Sequence, residues 1–236
     1  MEVDGIVRKP IKMPRVELDE MLLEVLKLTE EGEGVVADDL KIVNIRGTNG
    51  SGKSTIPMKM IEQDRSTFIL TDNGEEIATV IPKFKTVAIG TYRRKTGGLD
   101  GIRSTARMKE ILEKVKYLDA NILLEGILAS TVFSTYRDIF YQFEKEHFVT
   151  RKAVVYNIIP PFEEVKKRVL KRNGGKEVKW EQVESKYKTV KNNANKFDEA
   201  GLLSLTVDNS GVDIDDTVDW FMEELRKQGV EYNETA

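Results

Sequence analysis

The stretch GTNGSGKST, residues 47–55, decides the fold of this chain, because it matches the phosphate-binding pattern G-x-x-x-x-G-K-[S/T] at every fixed position. Residues 41–45, which precede it, are mostly apolar and β-branched and predict a buried strand. Residues 56–63, which follow it, predict a helix, and Pro57 is tolerated there because it lies in the first turn. A strand, a glycine-rich loop and a helix in this order predict a nucleotide phosphate site.

The residue types of this loop suit a bound anion. Its glycines let the backbone approach phosphate without Cβ clashes, and the N–H groups of residues 50–54 form a cradle at the start of the helix. We expect Lys53 to reach the β- and γ-phosphates, Ser54 to ligate Mg²⁺ and Thr55 to donate to a phosphate. A glycine-rich turn without a ligand is the disfavoured alternative. The predicted ATP contacts are Gly47, Asn49, Gly50, Ser51, Gly52, Lys53, Ser54 and Thr55.

Composition excludes several classes of protein. The chain has 236 residues, enough for one large domain, and its 40% hydrophobic and 33% charged content suits a globular protein. It has no cysteine, which excludes disulfides and cysteine-ligated metals. No segment has the length and hydropathy of a membrane span or a signal peptide, so we expect a cytoplasmic protein without a membrane partner. The net charge of −3 does not mark a polyanion binder, although Lys and Arg concentrate in residues 166–196.

Strands and helices alternate along the chain, which predicts an α/β fold with a parallel sheet and helices on both faces. The strand-like runs at 66–71 and 77–81 flank an Asp-Asn-Gly turn and predict a β-hairpin insertion. We expect further strands at 86–90, 121–126, 152–159 and 203–207. We expect helices at 16–29, 104–117, 130–146, 162–172, 180–194 and 214–227. The predicted organisation is an arm and helix at 1–38, one domain at 39–229 and a flexible tail at 230–236.

Glu125 is the second candidate for a functional role, because it ends a predicted buried strand. In open α/β sheets, ligands bind at the carboxyl ends of the strands, where the phosphate loop must also lie. A carboxylate at that edge can bind Mg²⁺ or accept the proton of an attacking hydroxyl. The alternative is an acid that only caps the helix after it.

The loop after the strand at 86–90 is a third candidate, since it opens at the same edge. Its paired arginines suit phosphate recognition, its Gly-Gly pair allows close approach of a ligand, and Asp100 can accept a hydrogen bond or act as general base. A solvated basic turn is the alternative. The predicted acceptor contacts are Tyr92, Arg93, Arg94, Gly97, Gly98, Asp100 and Arg103.

Arg168 and Arg172 lie four residues apart on one predicted helix face. Phosphoryl-transfer enzymes can close such a segment so that an arginine reaches the transferred group, whereas the alternative is a solvated helix. Asp72 is more simply explained by its turn than by catalysis. The aromatic residues Trp180 and Tyr187 can stack on a nucleic acid, but such spacing is more often a packed helix face.

Four features together resemble the P-loop kinases that act on nucleosides, nucleotides and small molecules. They are the phosphate loop, the strand end Leu123-Leu124-Glu125-Gly126, the Arg168/Arg172 helix and the strand end Val207-Asp208-Asn209-Ser210. The resemblance covers about residues 40–228 and implies a lid-like region at about 162–196. The segments IGTY, residues 89–92, and TGGLDGI, residues 96–102, resemble phage kinases, including those that phosphorylate 5-hydroxymethyluracil in DNA.

The resemblance implies an ATP- and Mg²⁺-dependent phosphotransferase, in which Lys53, Glu125, Asp100, Arg168 and Arg172 are catalytic and Ser54 and Glu125 hold the metal. The acceptor would be a nucleotide-type hydroxyl, such as 5-hydroxymethyluracil in DNA. Glu125 stands where such kinases carry an aspartate, which leaves the general base open between Glu125 and Asp100. The alternatives are a kinase of a free nucleoside, nucleotide or metabolite, and an ATPase with water as acceptor. If the chain is phage-encoded, the expected compartment is the host cytoplasm.

Overall fold

A computed structural model describes residues 2–3, 6–7, 13–20, 40–92, 98–145, 151–174, 176–230 and 232. The strands are β1 Glu2–Val3, β2 Ile6–Val7, β3 Arg15–Glu17, β4 Leu40–Arg46, β5 Phe68–Asp72, β6 Glu75–Ile81, β7 Thr86–Ile89, β8 Asn121–Glu125, β9 Arg151–Ile158 and β10 Leu203–Val207. The helices are α1 Thr55–Gln63, α2 Thr105–Val115, α3 Ile127–Thr131, α4 Ser134–Lys145, α5 Phe162–Asn173, α6 Trp180–Glu199 and α7 Thr217–Lys227. Short 3₁₀ turns span Pro82–Phe84 and Gly98–Gly101.

Eight strands form one sheet in the order β10-β9-β4-β8-β7-β6-β5-β3. Strand β6 pairs antiparallel with both of its neighbours, and the other pairs in this sheet are parallel. Strand β4, which leads into the phosphate loop, lies between β8 and β9. This arrangement brings the carboxyl ends of β4, β7, β8, β9 and β10 to one edge of the sheet, where the predicted site residues lie.

The core has two apolar layers, because helices cover both faces of the sheet. Side chains of α1 and α7 pack on one face, and side chains of α2, α4 and α6 pack on the other. Strands β4 and β8 are buried along their whole length, which explains why their sequences are continuous apolar runs rather than alternating ones. The α/β fold with helices on both faces is confirmed, and so is the hairpin insertion, which is β5 and β6.

The helix expected at 130–146 is two helices, α3 and α4, and that prediction was wrong. Val132 is extended at the end of α3. The buried guanidinium of Arg46 donates to the carbonyl oxygens of Ser130 and Val132, which a continuous helix would use for its own backbone hydrogen bonds. Gly126 starts α3, where the Ile127 N–H is bound by a carboxylate from the preceding loop. A contact between residues more than 80 positions apart therefore decides this break.

Both ends of the chain also depart from the expectation. Residues 15–17 form edge strand β3 beside β5, where a helix beginning at residue 16 was expected. Residues 18–20 are helical, as expected, and the remaining part of that predicted helix, 21–29, lies outside the described residues. Val230 and Tyr232 are buried, and the Tyr232 hydroxyl lies 2.7 Å from Thr86 Oγ1, so these two residues belong to the folded domain and not to a flexible tail. Within the described parts of the chain, no helix is long and apolar enough to cross a membrane.

Candidate active site

The phosphate loop is held open by glycine conformations. Gly50 and Gly52 have positive φ angles of 79° and 93°, which side-chain-bearing residues rarely adopt. A Cβ on Gly50 would stand 2.8 Å from Val169 Cγ2, and one on Gly52 would stand 2.7 Å from Asn209 Nδ2. Both positions therefore require glycine for conformation and for space.

The loop is also tied to the elements around it. The Gly47 N–H donates to Ser130 Oγ at 3.1 Å, and Thr48 Oγ1 donates to the carbonyl of Val183 in α6 at 3.4 Å. The Ser51 N–H closes a turn onto the Thr48 carbonyl at 3.2 Å. These contacts tie the loop to α3 and α6.

Glu125 contacts the phosphate loop across the sheet edge. Ser54 Oγ donates to Glu125 Oε1 at 2.7 Å, and Lys53 Nζ lies 3.8 Å from the same oxygen. Glu125 is 1% exposed, and burial raises the pKa of its carboxyl above the ordinary value, against the opposing effects of Lys53 and of the Ser54 hydrogen bond. The three residues predicted for metal and phosphate chemistry therefore meet at one carboxylate oxygen.

The structure describes some of the predicted acceptor contacts, and the others lie outside its described residues. Tyr92 and Gly98 lie against Glu125, because a Cβ on Gly98 would stand 2.7 Å from Glu125 Oε2 and 3.1 Å from Tyr92 Oη. Asp100 Oδ1 accepts from the Ile127 N–H at 2.9 Å, so one oxygen of this candidate base binds the start of α3. Arg103 is exposed, and three further predicted residues lie outside the described part of the chain: Arg93, Arg94 and Gly97.

Arg168 reaches the phosphate loop from α5. Its guanidinium donates to Asn209 Oδ1 at 3.0 Å, to the Asn209 carbonyl at 2.9 Å and to the Ser51 carbonyl at 3.4 Å, and Glu164 accepts from its Nε at 2.8 Å. Asn209 in turn donates from Nδ2 to the Ser51 carbonyl at 2.9 Å. Arg172 is exposed on the same helix and faces the same cavity.

A cavity of about 340 Å³ opens over the loop, between α1, α5 and the start of α7. Its basic side carries Lys53, Lys167, Arg168, Lys171 and Arg172, with Glu164 as the one acid among its lining residues. Its opposite side is more apolar and is lined by Met58, Val212, Ile214 and Trp220. A cavity with cations at one end and apolar groups at the other is suited to a nucleoside triphosphate.

The sequence missed Asn209 and the apolar side of this cavity. Asn209 is 9% exposed and bridges the loop to Arg168, although its strand end was noticed only as part of a resemblance. Trp220 and Ile214 belong to an amphipathic segment whose apolar spacing indicates packing and carries no signal for a ligand. Asp72, in contrast, lies away from the cavity and pairs with Arg107 at 2.9 Å and Lys114 at 2.6 Å, in accordance with a structural role.

The sheet, the phosphate loop and the carboxylate facing its lysine define the class of P-loop kinases. The family model for "5-hmdU DNA kinase" matches residues 30–219, and the chain belongs to this family of kinases.

Relatives from several phages carry the name of this family. The protein of Bacillus phage SP10, "5-hmdU DNA kinase", is 42% identical over 212 residues, which are 86% of this chain and 33% of the relative. "5-hmdU DNA kinase 1" of Salmonella phage ViI is 34% identical over 65% of this chain and 71% of its own length. "5-hmdU DNA kinase" of Pseudomonas phage M6 is 28% identical over 64% of this chain and 82% of its own length. The chain spans about a third of the SP10 relative, and no solved structure gives a significant match.

Proposed function

We propose that this chain transfers the γ-phosphate of ATP to the 5-hydroxymethyl oxygen of 5-hydroxymethyluracil in DNA. The observation that carries the proposal is the position of Glu125, whose Oε1 binds Ser54 of the phosphate loop while its Oε2 faces the Gly98 turn. One carboxylate thus touches both the donor side and the acceptor side of the site. The names of the family and of its relatives supply the identity of the acceptor.

On the donor side, the triphosphate would lie on the loop and the base on the apolar side of the cavity. Backbone N–H groups at Gly50 and at residues 52–54 would cradle the phosphates, whereas the Ser51 N–H is bound to the Thr48 carbonyl, and Lys53 would neutralise the β- and γ-phosphates. Trp220 and Ile214 offer an apolar surface to the adenine. The Arg168 contacts with Ser51 and Asn209 place a guanidinium beside the loop, where it can stabilise the charge of the transferred phosphoryl group.

The residues present fit Mg²⁺. Ser54 Oγ and Glu125 Oε1 are hard oxygen ligands 2.7 Å apart, and in the described residues no three His, Cys, Asp or Glu side chains cluster as a metal site. Mg²⁺ typically takes only one or two protein ligands together with substrate phosphates, so this sparse set is suitable. Ser54 and Glu125 would hold the ion, which would supply charge neutralisation at the β- and γ-phosphates.

The transfer itself needs a proton acceptor near the attacking oxygen. The acceptor oxygen forms a bond to the γ-phosphorus while the bond from that phosphorus to the β–γ bridging oxygen breaks, so that ADP leaves. The hydroxyl proton passes to Glu125 Oε2, which faces the acceptor side. We assign this role to Glu125 rather than to Asp100, because Glu125 Oε2 is buried and has no partner among the described residues, whereas Asp100 is exposed and binds the Ile127 N–H.

A DNA acceptor also needs cations for its phosphates. Arg93, Arg94 and Arg103 follow strand β7 on the acceptor side, and we assign them to the DNA backbone, with Gly97 allowing close approach of the strand. The segment 162–196 would act as a lid that brings Arg168 and Arg172 over the donor. Because the matched relatives are phage proteins, we place the activity in the cytoplasm of an infected host.

The test is transfer of labelled γ-phosphate from ATP to a panel of acceptors. The panel contains a 5-hydroxymethyluracil oligonucleotide, the same oligonucleotide with thymine, the free nucleoside and the free nucleotide. The proposal predicts label in the first acceptor alone and loss of label in Lys53→Ala. Label on the free nucleoside would support a small-molecule kinase, and label found only as inorganic phosphate would support an ATPase.

A further inference from the structure

Two polar atoms at the candidate active site are buried without a hydrogen-bond partner among the described residues. They are Tyr92 Oη and Glu125 Oε2, and their side chains belong to residues that are 6% and 1% exposed. A buried polar atom without a partner is costly, and a ligand that supplies the missing hydrogen bond offsets that cost. Two such atoms at one place indicate a binding position.

Both atoms lie close to Gly98. A Cβ on this glycine would stand 2.7 Å from Glu125 Oε2, 3.1 Å from Tyr92 Oη and 2.4 Å from the Glu125 carbonyl oxygen. Gly98 also has a φ of 58°, in the left-handed region. Glycine is therefore needed here for both conformation and space, and Gly98, the first residue of the turn Gly98–Gly101, packs against both polar atoms.

The charges around this point favour a hydroxyl over an anion. Glu125 Oε2 and Tyr92 Oη both lie at this point, and Lys53 lies 3.8 Å from the other carboxylate oxygen of Glu125. A phenol carries its proton at neutral pH and can donate it. A neutral group with one donor and one acceptor complements a carboxylate oxygen and a phenol.

We propose that the acceptor hydroxyl binds between Glu125 Oε2 and Tyr92 Oη, where Tyr92 donates to its oxygen and Glu125 accepts its proton. This inference rests on the proposed function. It adds the binding position of the acceptor hydroxyl and assigns Tyr92 a role in selecting bases that carry this hydroxyl. The hydroxyl enters only when the Gly98 turn shifts, because even a methyl group at Gly98 would lie inside contact distance of Glu125.

This binding position would also make the enzyme select 5-hydroxymethyluracil over thymine. Thymine has no hydroxyl, so its binding would leave Tyr92 Oη and Glu125 Oε2 unpartnered. A site built to hydrogen-bond a substrate hydroxyl rejects an analogue that lacks it, because the polar groups of the site then stay unpaired. Tyr92 therefore contributes to discrimination between the two bases as well as to the orientation of the attacking oxygen.

The test compares Tyr92→Phe with Tyr156→Phe in the full chain. Tyr156 is a matched control, since it is also buried and its hydroxyl also lacks a partner, but its ring packs on Trp220 and Phe221. Each substitution removes one buried unpartnered oxygen, so both variants should keep the wild-type melting temperature or exceed it. The readouts are kcat and KM with 5-hydroxymethyluracil DNA, the Kd of ATP, and the Kd ratio of thymine and 5-hydroxymethyluracil oligonucleotides with a non-hydrolysable ATP analogue.

We expect Tyr92→Phe to lower kcat/KM by about 3- to 10-fold and to reduce the Kd ratio by a similar factor, as loss of one hydrogen bond predicts. The Kd of ATP should not change, and Tyr156→Phe should match the wild type in every readout. A Tyr92→Phe enzyme that keeps the wild-type Kd ratio and kcat/KM would overturn the inference. Failure of the wild type itself to phosphorylate this DNA would instead overturn the proposed function.

Discussion

Replacement of Glu125 by glutamine is the most informative single change, because it removes the carboxylate charge and keeps the volume of the side chain. The amide oxygen can still accept from Ser54 Oγ, now 2.7 Å from Oε1, whereas the position of Oε2 would hold an NH₂ group that cannot accept a proton. Loss of a general base costs about 10²- to 10⁴-fold in rate, so we expect kcat to fall by that factor.

The thermal stability of Glu125→Gln should not fall with its kcat. Burial raises the pKa of Glu125, which means that the folded state disfavours its ionised form. The stability that neutral Glu125 contributes is present below its unfolded pKa and is lost as pH rises through its folded pKa. Glu125→Gln should therefore melt at the same temperature as the wild type or higher at pH 7, with a smaller difference in acid.

The assay is labelled phosphate transfer to 5-hydroxymethyluracil DNA at saturating ATP, with melting temperatures measured on the same preparations. Asp72→Asn is the control, because Asp72 is a buried carboxylate on the same sheet edge but outside the cavity, and this variant should keep the wild-type kcat. A folded Glu125→Gln enzyme with kcat within threefold of the wild type would refute the role given to Glu125.

Three further predictions follow from contacts at the same edge of the sheet. Arg168→Ala should lower kcat by about 10³-fold if its guanidinium serves the transferred phosphate, whereas Lys166→Ala, which loses contacts with Glu163 and Phe162 on its own helix, should match the wild type in the transfer assay. Burial opposes ionisation of Asp72, but its two cationic partners outweigh burial and lower its pKa below 3.8, so Asp72→Asn should cost about 2 kcal/mol at pH 7 in denaturant unfolding. That stability is present above the unfolded pKa and lost as pH falls through the folded one, so the gap to the wild type should close only below pH 3.8. Gly50→Ala should weaken ATP binding at least about 10-fold by calorimetry, and Gly74→Ala, which has a similar φ of 76° but no atom within 4 Å of the added methyl, should leave it unchanged.

The sequence predicted those parts of the site that depend on local pattern. The phosphate loop is contiguous, so its residues carry the whole signal, and Glu125 was found because it ends an apolar strand that must lie beside the loop. The order of strands and helices was likewise sufficient for the fold class, since alternation leads to a parallel sheet. The order of the strands within the sheet, the direction of β6 and the edge strand β3 needed the structure.

Contacts between distant residues could not be predicted in this way. Asn209 binds the Ser51 carbonyl across 158 positions, and Arg46 ends α3 across more than 80 positions. Neither contact has a periodic or motif-like signal, because each depends on how helices lie across the sheet. The role of Gly98 is of the same kind, since its Gly-Gly pair predicted close approach of a ligand, while the structure shows close approach of Glu125 itself.

The position of the transferred phosphate tests the central claim most directly. A circular DNA that contains 5-hydroxymethyluracil has no terminal hydroxyl, so it removes strand ends as competing acceptors. After incubation with the chain and ATP, digestion to nucleosides and mass spectrometry should find phosphate on the 5-hydroxymethyl oxygen, and none with a matched thymine circle. Unmodified 5-hydroxymethyluracil in the circle, with phosphate appearing only on free nucleoside or as inorganic phosphate, would contradict the account.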